Sequence, residues 1–215
     1  MIVRYFVRNK VCREIKAEAV RLYMDGLSLR VIARKFGVCK ESVRKWILKF
    51  EEAFARKKLA RKKERDAILL DETKIKRNGK MAYVSVCLDL ERREIVSSSC
   101  TTSISSLSTI LLVKEALRSC RNKAILMIVD HAPWYKYAFE YLKLDYIQKT
   151  FGIRNYIERW YRTFKQRTRR FYNNFPIKDP TRAAARISDF LHLFAYWYNR
   201  MRPHETLKCT PSEVK

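Results

Sequence analysis

A mixed α/β sheet domain flanked by helices, preceded by a small all-α domain, is the fold that three observations predict. Apolar residues recur at helical period through the first 55 residues. From residue 66 the texture changes to runs rich in Val, Ile, Leu and Thr that alternate with helical segments. Between the two lies a run of charge, RKKLARKKER (56–65), where the domain boundary is placed. The predicted organisation is therefore an all-α domain over 1–55, a basic linker over 56–65 and a sheet domain over 66–215.

In chain order, residues 13–24 form a helix with Ile15, Ala19, Val20 and Tyr23 inward, ended by Asp25-Gly26. Ser28 caps a second helix with Val31, Ile32 and Phe36 inward, and Gly37 turns the chain. A third helix runs from Lys40 to Phe54 with Val43, Trp46, Ile47 and Phe50 inward, started by Cys39, a weak residue for a cap. Short helices joined by a Gly turn, the last rich in basic residues, read as a helix-turn-helix. Lys40, Glu41, Arg44 and Lys45 are its exposed positions, with Lys40, Arg44 and Lys45 the candidate DNA contacts.

Three strands follow, 67–76, 81–90 and 93–102, with Asn78-Gly79 as a hairpin signal and Glu91-Arg92 as a second tight turn. Residues 104–119 form a helix with Leu107, Ile110, Leu111 and Leu117 inward. AILMIVD (124–130) is an apolar run of the kind found in central strands covered on both faces. A short helix (133–142), a short strand (145–149), a basic helix (154–172), a last helix (181–199) and an extended tail complete the chain. Three antiparallel strands, then helix, strand, helix, strand and two helices is the order of an RNase H-like fold.

The chemistry rests on acids at particular places. Asp71 lies inside the first strand after an apolar run, and Asp130 ends the fourth. Burying either is costly unless it is paired or metal-bound, and the two repel. A divalent cation resolves both problems, Mg²⁺ preferring oxygen ligands. Glu158, the lone acid of RNYIERWYRTFKQRTRRFY (154–172), is placed to close such a site, and three carboxylates suit two metals in phosphoryl transfer. Arg162, Lys165 and Arg169 continue the face below Glu158 as a cationic stripe for a phosphate backbone. Glu72 alternates to the other face of its strand, and Asp145 competes for the role of third acid. The plainer alternative is an edge-facing Asp71, a capping Asp130 and a Glu158 paired with Arg162.

His131 is a phosphate or water contact or simply a loop residue, His192 is structural, and His204 is a backbone contact or a packing residue. Trp134 and Tyr135 are candidates for stacking on an unpaired base. Composition narrows the partner. A net charge of +25 on 215 residues points to a polyanion, nucleic acid first. No apolar run is long enough to span a membrane and the start lacks a signal-peptide pattern, so a cytoplasmic protein with no membrane partner is expected. The six cysteines form no CxxC pair and are read as reduced.

Taken together, the segments resemble the DDE transposases of prokaryotic insertion sequences, near insertion sequence family six and its archaeal relatives. The resemblance is carried by the 13–50 helix-turn-helix, Leu70-Asp71-Glu72-Thr73-Lys74 followed by Gly79-Lys80-Met81-Ala82-Tyr83, Val129-Asp130-His131-Ala132-Pro133-Trp134-Tyr135, Arg154-Asn155-Tyr156-Ile157-Glu158-Arg159-Trp160 and the tail Tyr198-Asn199-Arg200 through Arg202-Pro203-His204. It implies Asp71, Asp130 and Glu158 as catalytic metal ligands, two Mg²⁺ ions that Mn²⁺ replaces, and double-stranded DNA (element ends and target) as partner. It also implies recognition of terminal inverted repeats and work as a homo-oligomer, a dimer or larger, that pairs element ends. Two departures stand out: 27 residues (131–157) separate the second and third acids, where a wider spacing is usual, and His131 stands where Gly is common. The function expected is DNA transposition by strand cleavage and strand transfer. The rivals are a non-catalytic DNA-binding regulator derived from a transposase and a nuclease acting on RNA–DNA hybrids.

Overall fold

The computed structural model describes residues 11–55, 57–77, 80–150, 152–168, 177 and 179–214. The chain divides into two compact units, residues 1–57 and 58–215. The first holds α1 (Arg13–Met24), α2 (Leu29–Lys35) and α3 (Lys40–Phe54). Ala19, Val20, Ile32, Val43, Trp46, Ile47 and Phe50 form its core, whereas Val31 is 49% exposed because α2 turns Ile32 and Ala33 inward instead. Cys39 does cap α3: its Sγ accepts from the Ser42 amide at 3.4 Å. Ser28 caps α2 through the Val31 amide at 3.3 Å.

The second unit is built on a five-stranded sheet of order β3-β2-β1-β4-β5. Its strands are β1 (Ala67–Arg77), β2 (Lys80–Asp89), β3 (Ile95–Thr101), β4 (Leu126–Val129) and β5 (Tyr146–Gln148). The first three pair antiparallel, while β4 pairs parallel to both β1 and β5. The Asn78-Gly79 turn lies outside the described residues; Arg77 and Lys80 on either side of it are paired. The helices are α4 (Ser106–Leu117), α5 (Trp134–Leu142), α6 (Asn155–Thr168) and α7 (Pro180–Arg200), followed by a 3-10 turn at Pro211–Glu213. The mixed sheet, the flanking helices and the N-terminal helices match the predicted RNase H-like class.

Alternation along the strands sorts residues between two faces. Ile68, Leu70, Met127 and Val129 join Val113, Ala116, Tyr135 and Phe139 in the core under α4 and α5. On the other face α6 and α7 stack aromatics: Trp160 lies 5.4 Å from Phe164 and 5.7 Å from Phe194, centroid to centroid. The inward face of α4 differs in part from the expectation. Ile110 is buried and Leu117 packs against the core as expected, but Leu107 and Leu111 are 65% and 62% exposed, and Thr109, Leu112, Val113 and Ala116 are buried in their place. The helix is apolar nearly all round, so its sequence did not define the phase.

Residues 58–65, the greater part of the stretch expected as a linker, belong to the second unit. Leu59, Ala60 and Arg65 are buried there. The fully buried Asn199 of α7 accepts from the Ile95 amide at 2.8 Å and donates to the Ile95 carbonyl at 2.8 Å and the Leu59 carbonyl at 3.3 Å. One side chain thereby joins α7, β3 and the 58–65 segment.

Candidate active site

Parallel pairing places Ala67 beside Leu126, Ile68 beside Met127 and Leu69 beside Ile128. Two residues further along the same register, Asp71 is level with Asp130. Asp71 shares the α6 face with Leu69, because residues two apart on a strand point the same way. The helix is pinned above it: the Tyr161 hydroxyl donates to the carbonyl of Asp71, and lies 3.3 Å from that of Val84.

Both carboxylates reach one cation. Arg154 Nη2 lies 2.8 Å from Asp71 Oδ1 and 3.7 Å from Asp130 Oδ2. Asp71 is buried and its carboxyl is pushed up to about 6. Burial is the main cause; Arg154 opposes it, and Asp130 adds to it. Asp130 is held by its own loop, Oδ1 accepting from the Ala132 amide at 2.9 Å.

Glu72, alternating to the α5 side, accepts from Trp134 Nε1 at 3.2 Å and from the Tyr135 hydroxyl. Burial pushes its carboxyl up to about 7. Tyr135, a candidate for stacking on a base, is fully buried and is committed to Glu72 and to a stack on Phe139. Trp134 is half-buried and likewise bonded to Glu72.

A cleft of about 860 Å³ opens over Asp71 and Glu72 and is lined from α6 by Glu158, Tyr161, Arg162 and Lys165. The structure thus brings Asp71, Glu158, Arg162 and Lys165 to one cleft, and Asp130 to Asp71 through Arg154. Glu158 and Arg162 are exposed to the cleft. Arg169 lies outside the described residues. In the first unit, Lys40, Arg44 and Lys45 are all exposed on α3, and Arg44 pairs with Glu41 at 2.5 Å. Three participants carry no site role in the sequence reading: Arg154 stands there only as one cation of the 154–172 stretch, Tyr161 has no assigned part, and Glu72 is set aside by alternation.

Among the described residues no three His, Cys, Asp or Glu side chains converge closely enough to hold a metal ion. Two carboxylates do converge on one cationic nitrogen. This donor chemistry, hard oxygen ligands on neighbouring strands, fits a divalent cation at Asp71 and Asp130.

Comparisons with known proteins agree with this architecture. A helix-turn-helix domain family matches residues 15–65. The HTLV-2 integrase catalytic core domain, solved in complex with magnesium, superposes with a TM-score of 0.52 at 14% identity, covering 72% of this chain and 97% of that one. The simian T-cell lymphotropic virus intasome, solved with the PP2A regulatory subunit B56 gamma, gives a TM-score of 0.53 at 12% identity over 90% of this chain and 72% of that one. These likenesses establish the integrase-core version of the RNase H-like fold. No helix among the described residues is long and apolar enough to cross a membrane. An uncharacterized Aquifex aeolicus protein, aq_aa24, is 40% identical over 55 residues, 26% of this chain and 46% of that protein. With 34% identity over 177 residues, 80% of this chain and 81% of the other, the chain belongs to the same family as the uncharacterized protein MJ0017 of Methanocaldococcus jannaschii.

Proposed function

We propose that the protein is a DDE transposase of the insertion-sequence type, hydrolysing a phosphodiester at an element end and joining the freed 3′-hydroxyl to target DNA. The observation that carries this reading is the meeting of Asp71 and Asp130 at one cationic nitrogen. Asp71 lies in β1 and Asp130 directly follows β4, its parallel neighbour in an integrase-like sheet, and Asp71 lines a cleft that also holds Glu158. In this reading Asp71, Asp130 and Glu158 hold the divalent cations. When bound, these supply Lewis acidity at the phosphoryl oxygens and a more acidic water. Arg162 and Lys165 hold the phosphates of the strand entering the cleft, and Lys40, Arg44 and Lys45 of α3 bind the inverted repeats.

Arg154 has to leave the acids when the cation enters. Arg154→Gln should therefore raise the affinity for Mn²⁺ on the order of tenfold, the effect of one nearby charge at a partly buried site. Calorimetry on the full chain measures this, and an unchanged affinity would show that the guanidinium does not compete.

The experiment for the function itself is nicking of a duplex carrying the element's ends, with Mg²⁺ or Mn²⁺ present. Asp71→Asn and Asp130→Asn should each abolish nicking while duplex binding persists. Nicking by Asp71→Asn at the parental rate would overturn the assignment. The second reading, a non-catalytic DNA-binding regulator, is favoured by the guanidinium seated between the acids. It predicts no Mn²⁺ uptake that depends on Asp130. Binding of DNA falls steeply with salt under either reading.

A further inference from the structure

The second unit carries another hollow, of about 330 Å³, on the side of α6 away from the acids. At 100° per residue, Tyr156, Arg159, Trp160 and Thr163 run along one side of α6, and Glu158, Tyr161, Arg162 and Lys165 along the other. The hollow is strongly cationic. Arg93 enters it from the β2–β3 turn, Arg159 from α6, and Arg202 and His204 from the segment after α7.

These groups are held in place. Arg93 sits in the left-handed region at φ 55. Its guanidinium lies 3.2 Å from the Tyr156 ring centroid and donates to the Leu90 carbonyl. Arg202 lies 5.8 Å and 5.9 Å from the Trp197 and Tyr198 rings. Among the described residues no carboxylate lies within salt-bridge distance of Arg93, Arg159 or Arg202. Glu205 is the one acid on the rim. Burial, followed by Arg93 and Arg202, holds the His204 ring below its ordinary value.

Two polar atoms at this place are left unsatisfied. Trp160 Nε1, on a residue only 1% exposed, and His204 Nδ1 are buried and have no hydrogen-bond partner. Buried polar atoms without partners are uncommon and call for an explanation, and of these two the Trp160 indole N–H is the donor that an anion would satisfy. Three guanidiniums gathered with no carboxylate paired to them repel one another, and an anion removes that repulsion. The forked donors of Arg match phosphate oxygens. The volume is at the small end of ligand pockets, suited to one nucleotide unit rather than a duplex.

We propose that the hollow bounded by Arg93, Arg159, Trp160, Arg202 and His204 is a phosphate-binding site that holds a backbone phosphate of DNA on the far side of α6 from the acids. The phosphate chemistry stands on the geometry of the hollow alone; that the phosphate belongs to DNA rests on the transposase reading. A strand engaged there and at Arg162 and Lys165 would straddle α6, fixing it against the substrate on both sides.

The test uses the full chain labelled with ¹⁵N at tryptophan, the Trp160 indole signal being assigned through Trp160→Phe. A duplex without element ends, thymidine monophosphate and inorganic phosphate are titrated separately at low salt. The expected result is that the duplex moves the Trp160 signal at concentrations where the two small phosphates do not. Equal movement by a small phosphate would keep the site but overturn its assignment to DNA. No movement with any of the three overturns the proposal. Arg159→Gln together with Arg202→Gln should remove the Trp160 response and weaken duplex binding by about tenfold, through the loss of two charge-assisted phosphate contacts. The Trp46 signal in the first unit and the Trp134 signal beside Glu72 report whether that variant is folded. Asp71→Asn should leave the Trp160 response intact, so a failed acid site and a failed phosphate site give different results.

Discussion

Arg65→Met should destabilise the second unit by about 3–5 kcal/mol, the cost of leaving buried charges without their partner. Arg65 is only 1% exposed and lies against two carboxylates that are equally buried, Asp89 and Glu94. It pairs with Asp89 and, at 2.7 Å, with Glu94. Its remaining donors reach the Ser119 carbonyl at 3.3 Å and the Arg61 carbonyl at 3.1 Å. Asp89 also accepts from the Glu91 and Arg92 amides at 3.0 and 2.9 Å, so the triad fixes the β2–β3 turn as well as the entry into β1. Burial pushes the Glu94 carboxyl up, and Arg65 opposes that rise. Without Arg65 the Glu94 carboxyl would take up a proton more readily, so the deficit should shrink on acidification. Urea unfolding at pH 8 and pH 5 measures both effects. Replacing the whole triad, Arg65→Met with Asp89→Asn and Glu94→Gln, should recover most of the loss, because no uncompensated charge is then buried. An unchanged midpoint for Arg65→Met alone would show that the triad carries no stability.

Arg65 also shows where the sequence stops being informative. In RKKLARKKER it is one cation among several, and composition does not distinguish a solvated charge from one enclosed by two acids far along the chain. Arg154, directly before α6, is the same case in the basic 154–172 stretch. Its partners Asp71 and Asp130 are brought to it only by tertiary structure. The element order was legible because turn signals separate successive elements, as at Asp25-Gly26, Gly37 and Glu91-Arg92. The acids of β1 and β4 were legible because each interrupts or ends an apolar run, where a charge needs a reason. Their adjacency depends on the parallel pairing of β1 with β4, a long-range contact that local pattern does not encode. The phase of α4 was legible only at Ile110 and Leu117, since SLSTILLVKEAL offers apolar residues on almost every side and only packing against the sheet selects Thr109, Leu112, Val113 and Ala116 over Leu107 and Leu111. The role of Tyr135 went to Glu72 for a related reason: a buried hydroxyl needs a partner, and the carboxylate that supplies it lies on another element.

Asp71→Asn should make the metal-free protein more stable at neutral pH while abolishing the proposed cleavage. The Asp71 carboxyl moves from 3.8 to about 6 on folding and the Glu72 carboxyl from 4.5 to about 7, burial being the first cause of both. A raised carboxyl binds its proton more tightly in the folded chain than in the unfolded one. The sign follows: the contribution of these groups to stability is fully present below about pH 4 and declines as pH rises. It is lost once pH has passed about 6 for Asp71 and about 7 for Glu72. Each pKa unit corresponds to about 1.4 kcal/mol. The Asp71 charge also raises Glu72, so the effects of the two groups do not add, and a gain of about 1–3 kcal/mol at pH 8 is expected for Asp71→Asn. For a chain of this size that is a rise of several degrees in melting temperature, at about 2–4 °C per kcal/mol. At pH 4 the variant and the parent should melt together, because the acid is then protonated in the folded state. The comparison is a pair of melting curves in EDTA at each pH. Mg²⁺ should stabilise the parent at pH 8 and leave Asp71→Asn unmoved, since a ligand stabilises only the state that binds it. Equal melting of the two proteins at pH 8 in EDTA would mean that Asp71 carries no stored electrostatic cost. A stabilised variant that no longer nicks DNA would mean that the fold retains this acid, and the repulsion with Asp130, for chemistry rather than for stability.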